Sequence, residues 1–482
     1  MKAAFFVFIT ALAVCGATPA EIDSIISAAR SASPEFAADA LIRLASLEQL
    51  PKEKRLDLLQ QAFDRAAGAQ QPYQQHAAFV RNDGSTAYWN KVDSQGLDTL
   101  TLRVRAVEAM LLLDAPKANA LFLSIPTLAI PRVKCEEFQV YDVTRFYDLL
   151  ATLTSSSTDA PKLLERYTAA IASPVQAGPM AHVLASAKNL KDDEFKTLLA
   201  SYSAALGKIS GDDRSFTYAN AVSKQILALT DECQRRSVSP LPLLEAYRLY
   251  LVVNLAAVRC ADDEQMQTVS PTMSAFAPQP PEEPIGDLVT FFNTRLQVNP
   301  LQPIQESEAT PAHLEGVATG MRMCQDKECQ SLIAEFRKLI IGEDGKPYLP
   351  ADREKPEWQE KFKGVLKTVA AWKQTKETTS GEFFREKCAA YGQMLSIALN
   401  GAAREPALHA LLDFVSANDF QTTNRLEWFL PVNGLVGRVG MDPLGLGTFA
   451  AELRKSKDPI IALYANLEAV APRNPGQILP LL

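Results

Sequence analysis

Histidine is scarce in this chain of 482 residues: there are four, His76, His182, His313 and His409, and none stands four residues from another. Cysteine is sparse too, and no two are spaced as Cys-x-x-Cys. Zinc and iron centres draw on these residue types at short, regular spacing, so the sequence predicts no metal and no cofactor. A Gly-x-Ser-x-Gly elbow is missing, which removes a common serine-hydrolase signature. No glycine loop follows a strand-like run. The glycine-rich stretch 440–447 (GMDPLGLG) reads as a turn between helices, not as a phosphate cradle. Basic clusters interleaved with aromatics are lacking, and the formal charge is −7. Both features argue against nucleic acid or anionic lipid as the main partner.

Long apolar runs are also few. Residues 3–14 and 249–258 are the most apolar, and Asn254 interrupts the second. Both fall short of the ~20 residues a membrane span needs. The first follows Lys2, the only charge before Glu21, and leads into small residues at 15–20. That order is a signal peptide, residues 1–20, with cleavage after Ala20 or Ala17. Leu12-Ala13-Val14-Cys15 has the outline of a lipobox, but Val14 stands where a small residue belongs, so anchoring at Cys15 is the second choice. The expected location is periplasmic or extracellular, with no transmembrane segment after processing.

What the chain does have is helical periodicity. Ser33 followed by Pro34 is a helix start, and Leu41, Leu44 and Leu47 follow on one face. Residues 52–67 and 96–113 repeat the pattern, Asp142 caps 143–153, and Asp159 with Pro161 opens a helix to residue 170. Gly211-Asp212-Asp213 is expected to open a helix carrying Tyr218, Val222, Ile226, Leu229 and Cys233. Ser239-Pro240 opens the next, to about Cys260, and Thr310-Pro311 another. Trp358, Phe362, Val365, Val369 and Trp372 form an apolar stripe, as do Phe384, Cys388, Tyr391, Leu395 and Ala398; helices over 404–415 and 458–470 close the series. Sustained alternation is not seen, so strand content near zero is expected.

Two segments break the rhythm. Residues 70–95 are polar and hold Tyr73, His76, Tyr88 and Trp89 without helical spacing, and residues 262–284 hold five prolines, a composition that favours an extended connector. The reading is therefore a leader (1–20), an N-terminal helical region (21–261), a proline-rich connector (262–284) and a C-terminal helical region (285–482). A loop at 342–355 is read as a turn. Many helices with short capped turns suggest stacked antiparallel pairs, an all-α solenoid or helical-repeat architecture, with a closed α/α toroid as the alternative. Neither the tetratricopeptide nor the ankyrin consensus is present.

Candidate chemistry is thin. The acidic runs Asp192-Asp193-Glu194, Asp212-Asp213 and Asp262-Asp263-Glu264 sit where helices begin or end, where carboxylates cap free amides and complement the helix dipole. Glycosidase chemistry needs two carboxyls ~5–9.5 Å apart and usually stacking aromatics, but of Trp89, Trp358, Trp372 and Trp428, two lie on an apolar stripe. Glu306-Ser307 matches the catalytic dipeptide of lytic transglycosylases, but the Gly-Leu-Met-Gln run of that family is missing. No catalytic residue is assigned.

Apart from Cys15, the cysteines are Cys135, Cys233, Cys260, Cys324, Cys329 and Cys388. An even number in an exported chain favours disulfides. Cys233 and Cys260 are not expected to pair. The helix between them rises ~1.5 Å per residue, which separates its ends by about 30 Å, whereas a disulfide needs Cα atoms within ~7 Å. Cys233 shares an apolar face with Ile226 and Leu229 and reads as a buried thiol, as does Cys388. Cys260 is expected to find Cys135, Cys324 or Cys329.

The segments 33–43 (SPEFAADALIR), 211–216 (GDDRSF), 245–262 (EAYRLYLVVNLAAVRCAD) and 425–430 (RLEWFL) resemble stretches of uncharacterised exported bacterial helical proteins. The resemblance runs over most of the mature chain and implies a compact exported helical protein with no assigned activity. The expected function is a non-enzymatic helical-repeat protein that binds another protein or peptide. The alternative is an α/α-toroid enzyme acting on a polysaccharide.

Overall fold

Proline and a capping side chain set where many of the helices begin. Thr18 and Glu21 form a reciprocal capping box ahead of Pro19, Asp98 and Asp114 each cap with a carboxylate, and Thr379 and Glu382 form another box. Each cap satisfies amides that have no partner inside the helix.

The computed structural model describes residues 18–77, 85–156, 160–219, 222–257, 259–260, 285–311, 314–315, 324, 327–398, 401–418, 424–441 and 447–473. Residues 1–17 of the leader, the proline-rich connector, Asp262-Asp263-Glu264 and His313 lie outside them, whereas residues 18–20 of the leader cap and begin α1. Among the described residues there are 22 α-helices. The first twelve are α1 (Pro19–Ser31), α2 (Pro34–Ala45), α3 (Lys52–Ala66), α4 (Ser85–Asp93), α5 (Thr99–Leu111), α6 (Ala115–Ser124), α7 (Thr144–Ser156), α8 (Ala160–Thr168), α9 (Pro174–Ser186), α10 (Asp192–Leu206), α11 (Val222–Arg235) and α12 (Leu241–Ala257). After the connector come α13 (Ile285–Phe291), α14 (Glu306–Ala309), α15 (Lys327–Ile340), α16 (Pro350–Arg353), α17 (Pro356–Ala371), α18 (Ser380–Ile397), α19 (Gly401–Ala417), α20 (Arg425–Met441), α21 (Gly447–Arg454) and α22 (Pro459–Val470). The fold is all-α. Two short ladders accompany the helices: β1 (Gln74–Ala77) runs antiparallel to β2 (Gln139–Asp142), and β3 (Arg259–Cys260) runs parallel to β4 (Leu314–Glu315).

Local expectations fail where a long-range contact competes with the helix. The stretch 211–218 does not continue into α11; it forms a 3-10 turn, Arg214–Tyr218. Asp213 Oδ1 accepts from both Ser215 N (3.0 Å) and Val133 N (3.1 Å), and Tyr218 packs with Val133 and Val140. These ties draw the segment toward residues 133–140. Gly96 turns with φ 61°, so α5 starts at Thr99 and not at residue 96. The polar segment 70–95 holds β1 and α4, joined by Asn90 Oδ1 accepting from Ala77 N at 2.7 Å. Thr310-Pro311 opens no helix: Thr310 caps the end of α14, and residues 314–315 pair with β3. For the same reason α12 stops at Ala257, and Cys260 belongs to a strand. The loop 342–355 contains the single turn α16.

Packing places the helices in two rows. In one, α2, α5, α7, α9 and α11 touch in succession; in the other, α8, α10, α12 and α14 do. The C-terminal helices continue from α15 through α17, α18, α19 and α20 to α22. The chain ends then meet, because α22 packs on both α1 and α2, and α20 on α4. Helix α2 lies at this junction with residues 35–45 all buried, and its Phe36 ring contacts Trp428, Phe429 and Tyr464. No helix among the described residues is long and apolar enough to cross a membrane.

Candidate functional site

Helix α15 carries Cys329, Leu332, Ile333, Phe336 and Ile340, the i, i+3, i+4, i+7 and i+11 spacing of one apolar face. It packs on α17 and α18. The residues of α18 that face this stripe are small or polar: Glu386, Ala389, Ala390 and Gln393. Two alanine methyls cannot fill the space opposite Leu332, Ile333 and Phe336, and a cavity of about 440 Å³ remains, lined also by Cys324, Arg337, Ile341 and Trp372. Ile333 stands 57 % exposed at this cavity. The Trp372 indole is buried, and its Nε1–H has no acceptor. Buried donors are nearly always satisfied, so this unpaired one stands out beside the cavity. On the other flank of α15 a more polar hollow of about 580 Å³ is lined by Glu335, Lys338, Tyr348 and Lys361, where Gly364 leaves open space.

The second concentration of polar groups is the seam where the chain ends meet. Helix α2 places Glu35, Asp39 and Arg43 one turn apart. Each finds a partner: Arg425 Nη1 at 3.2 Å from Glu35, Arg105 Nη2 at 2.7 Å from Asp39, and Glu468 Oε1 at 2.8 Å from Arg43 Nη2. Tyr464 donates to Asp39 Oδ2 at 2.9 Å. Burial would raise the Asp39 pKa, but Arg105 and Arg43 outweigh it and hold the carboxyl below its ordinary value. Nearby, Arg385 Nη1 (2.8 Å) and Tyr88 Oη (3.3 Å) both donate to Glu427 Oε2. Here burial prevails over the Arg385 charge, and the Glu427 pKa is raised. Burial also pushes Asp93 well above the carboxylate range, and Asp98 up to about 6. Asp93 is 3 % and Glu427 2 % exposed, so neither carboxyl is open to a substrate.

The residues singled out in the sequence go to separate places. Cys135 is bonded to Cys260 (Cα–Cα 5.5 Å) and Cys324 to Cys329 (5.2 Å), while Cys233 and Cys388 are buried thiols. Burial pushes the Cys233 thiol up to about 11 and Cys388 well above its ordinary value. Glu194 accepts from Lys191 N at 2.9 Å at the start of α10. Asp212 pairs with Arg132 and Ser210, and Asp213 also accepts from Ser173 Oγ at 3.1 Å. Trp358 and Trp428 are buried and donate to Leu339 O and Val415 O. Glu306 lies in the first turn of the short helix α14. His76, His182 and His409 fall on β1, α9 and α19, and no group of three or more His, Cys, Asp or Glu side chains able to hold a metal occurs among the described residues.

Sequence reasoning missed the α15 stripe. Its signal was Leu332, Ile333, Phe336 and Ile340 at helical spacing, but the partner that makes a groove of it, the Ala389–Ala390 pair, lies some fifty to sixty residues on and is visible only once α18 is in place. Family models, curated proteins and solved structures give no match to this chain.

Proposed function

We propose that this chain is an exported helical-repeat protein that binds another protein or peptide, and that the groove between α15 and α18 is where it does so. The observation that carries the reading is the apolar cavity of about 440 Å³, with Ile333 exposed beside it. An apolar cavity of this size suits the side chains of a short apolar peptide, which would fill it. The two disulfides fit an oxidising compartment outside the cytoplasm. The resemblance to exported bacterial helical proteins points the same way.

The alternative, a polysaccharide-acting toroid, would draw on Asp93 and Glu427, the carboxyls whose environments raise their pKa values. Their burial beneath Tyr88, Gln139 and Arg385 favours a structural role, and peptide binding is the stronger reading.

A displayed peptide library selected on the purified chain tests it. Selected peptides are expected to be apolar, to compete with one another, and to lose binding to Ile333→Asp. They should keep binding to Leu112→Asp, which alters a still more exposed leucine far from the groove in sequence. Binding that survives Ile333→Asp would place the site elsewhere.

A further inference from the structure

The cavity has a disulfide in its wall. Cys324 and Cys329 both line it, and they are only five residues apart. Cys135–Cys260, by contrast, spans 125 residues and so constrains far more of the unfolded chain. The short bridge does little that the helix packing does not already do, and it lies where a bound peptide would lie.

The two sulfurs are not equivalent. Cys324 is partly exposed and Cys329 is buried. Cys329 is the third residue of α15, a helix of fourteen residues, so its sulfur sits in the first turn, where unpaired amides and the helix dipole stabilise negative charge. Cys324 has φ 59°, a left-handed conformation that is costly for a side-chain-bearing residue. It is held there as its N–H donates to Glu386 Oε1 at 2.5 Å, and Glu386 is buried on α18. The geometry thus offers one partly exposed cysteine at the cavity and one buried cysteine in a helix N-terminal turn.

We propose that Cys324–Cys329 is a thiol–disulfide exchange site for a cysteine-bearing apolar peptide seated in the α15–α18 groove, an inference that rests on the groove binding peptide. A peptide thiolate attacks Cys324 Sγ. A new S–S bond forms between peptide and Cys324, the Cys324–Cys329 bond breaks, and the electron pair leaves on Cys329 Sγ as thiolate. Leaving is fastest from the sulfur whose thiolate is better stabilised, which selects Cys329. A second thiolate of the same peptide then attacks the peptide sulfur of the mixed disulfide and releases Cys324. The peptide is oxidised by two electrons to its own disulfide, the protein is reduced to two thiols, and the two protons lost by the peptide end on Cys324 and Cys329. The oxidant is the protein disulfide itself, used once per chain.

The experiment uses the full processed chain with an apolar peptide carrying one cysteine, a twin with serine in its place, and glutathione. The single cysteine halts the reaction at the mixed disulfide. After alkylation with N-ethylmaleimide in denaturant, peptide mapping is expected to find the peptide on Cys324 and the alkyl group on Cys329. The adduct should form roughly tenfold faster than with glutathione, the advantage of holding the two sulfurs together, and Ile333→Asp should remove that advantage. Fluorescence anisotropy of the serine twin reports the groove alone. If the twin binds but no adduct forms, or the peptide is found on Cys329, or glutathione reacts as fast, the exchange site is overturned while the groove stands. If the twin does not bind, both fall.

Discussion

Arg43 Nη2 lies 2.8 Å from Glu468 Oε1, and both side chains are buried. One belongs to the second helix and the other to the last, so a single ion pair ties together positions 425 residues apart. The same arginine donates to the carbonyl of Ala471 at 2.7 Å, and Glu468 also accepts from Arg473.

Removing one partner of this pair should therefore cost far more than removing both. Glu468→Leu leaves Arg43 buried without its direct ion-pair partner, a loss of about 3–5 kcal/mol. The double variant Arg43→Met, Glu468→Leu replaces the pair with apolar side chains and should recover much of that loss. Midpoints of urea denaturation for the two single variants and the double check it. Equal additive losses would mean that the pair is not coupled.

Asp98 gives a pH dependence of defined sign. Burial lifts its pKa from 3.8 to about 6; one oxygen caps Thr101 N at 2.9 Å, and Oδ2 has no partner. A carboxyl with a raised folded-state pKa binds its proton more tightly folded than unfolded. Its contribution is most favourable below pH 3.8 and is lost as pH rises to about 6, by roughly 3 kcal/mol. Asp98→Asn keeps the cap and removes the titration. The stability of the variant relative to wild type should therefore rise between about pH 4 and 6 and level off above. A flat difference across that window would show that Asp98 is ionised without cost. Asp39, whose pKa is lowered, acts in the opposite sense, its contribution fading as pH falls through its folded-state value.

Thiol counting separates the cysteines. Cys233 and Cys388 are buried, and burial raises both pKa values, so few thiolates exist to react. The native processed chain is expected to take up no N-ethylmaleimide. In denaturant without reductant it should be labelled at Cys233 and Cys388, and with reductant at the bridged positions as well. Labelling of Cys135 or Cys260 without reductant would break the long-range bridge. Its replacement by serines at both positions should cost about 2–5 kcal/mol.

The helices were readable because their signals are local. Pro34 behind Ser33, the stripe from Trp358 to Val369 and the Asp458–Pro459 start all depend on residues a turn or two apart. The 3-10 turn at Arg214, the strand at Cys260 and the helix at Ser85 were not, because each is decided by a partner tens to hundreds of residues away: Val133, Glu315, and Glu427 through Tyr88. The candidate groove was hidden for the same reason. An apolar stripe reads alike whether its facing helix presents leucine or alanine, and only the second leaves a cavity.

The burial of α2 has a consequence for the order of events during synthesis. Glu35, Asp39 and Arg43 are made some four hundred residues before their partners Arg425, Tyr464 and Glu468. A nascent chain cannot close this junction until residues 425–468 have been made, since three charges would have to be buried with only Arg105 to meet them. The growing polypeptide is thus held short of this packing for some four hundred residues of synthesis after α2 has emerged.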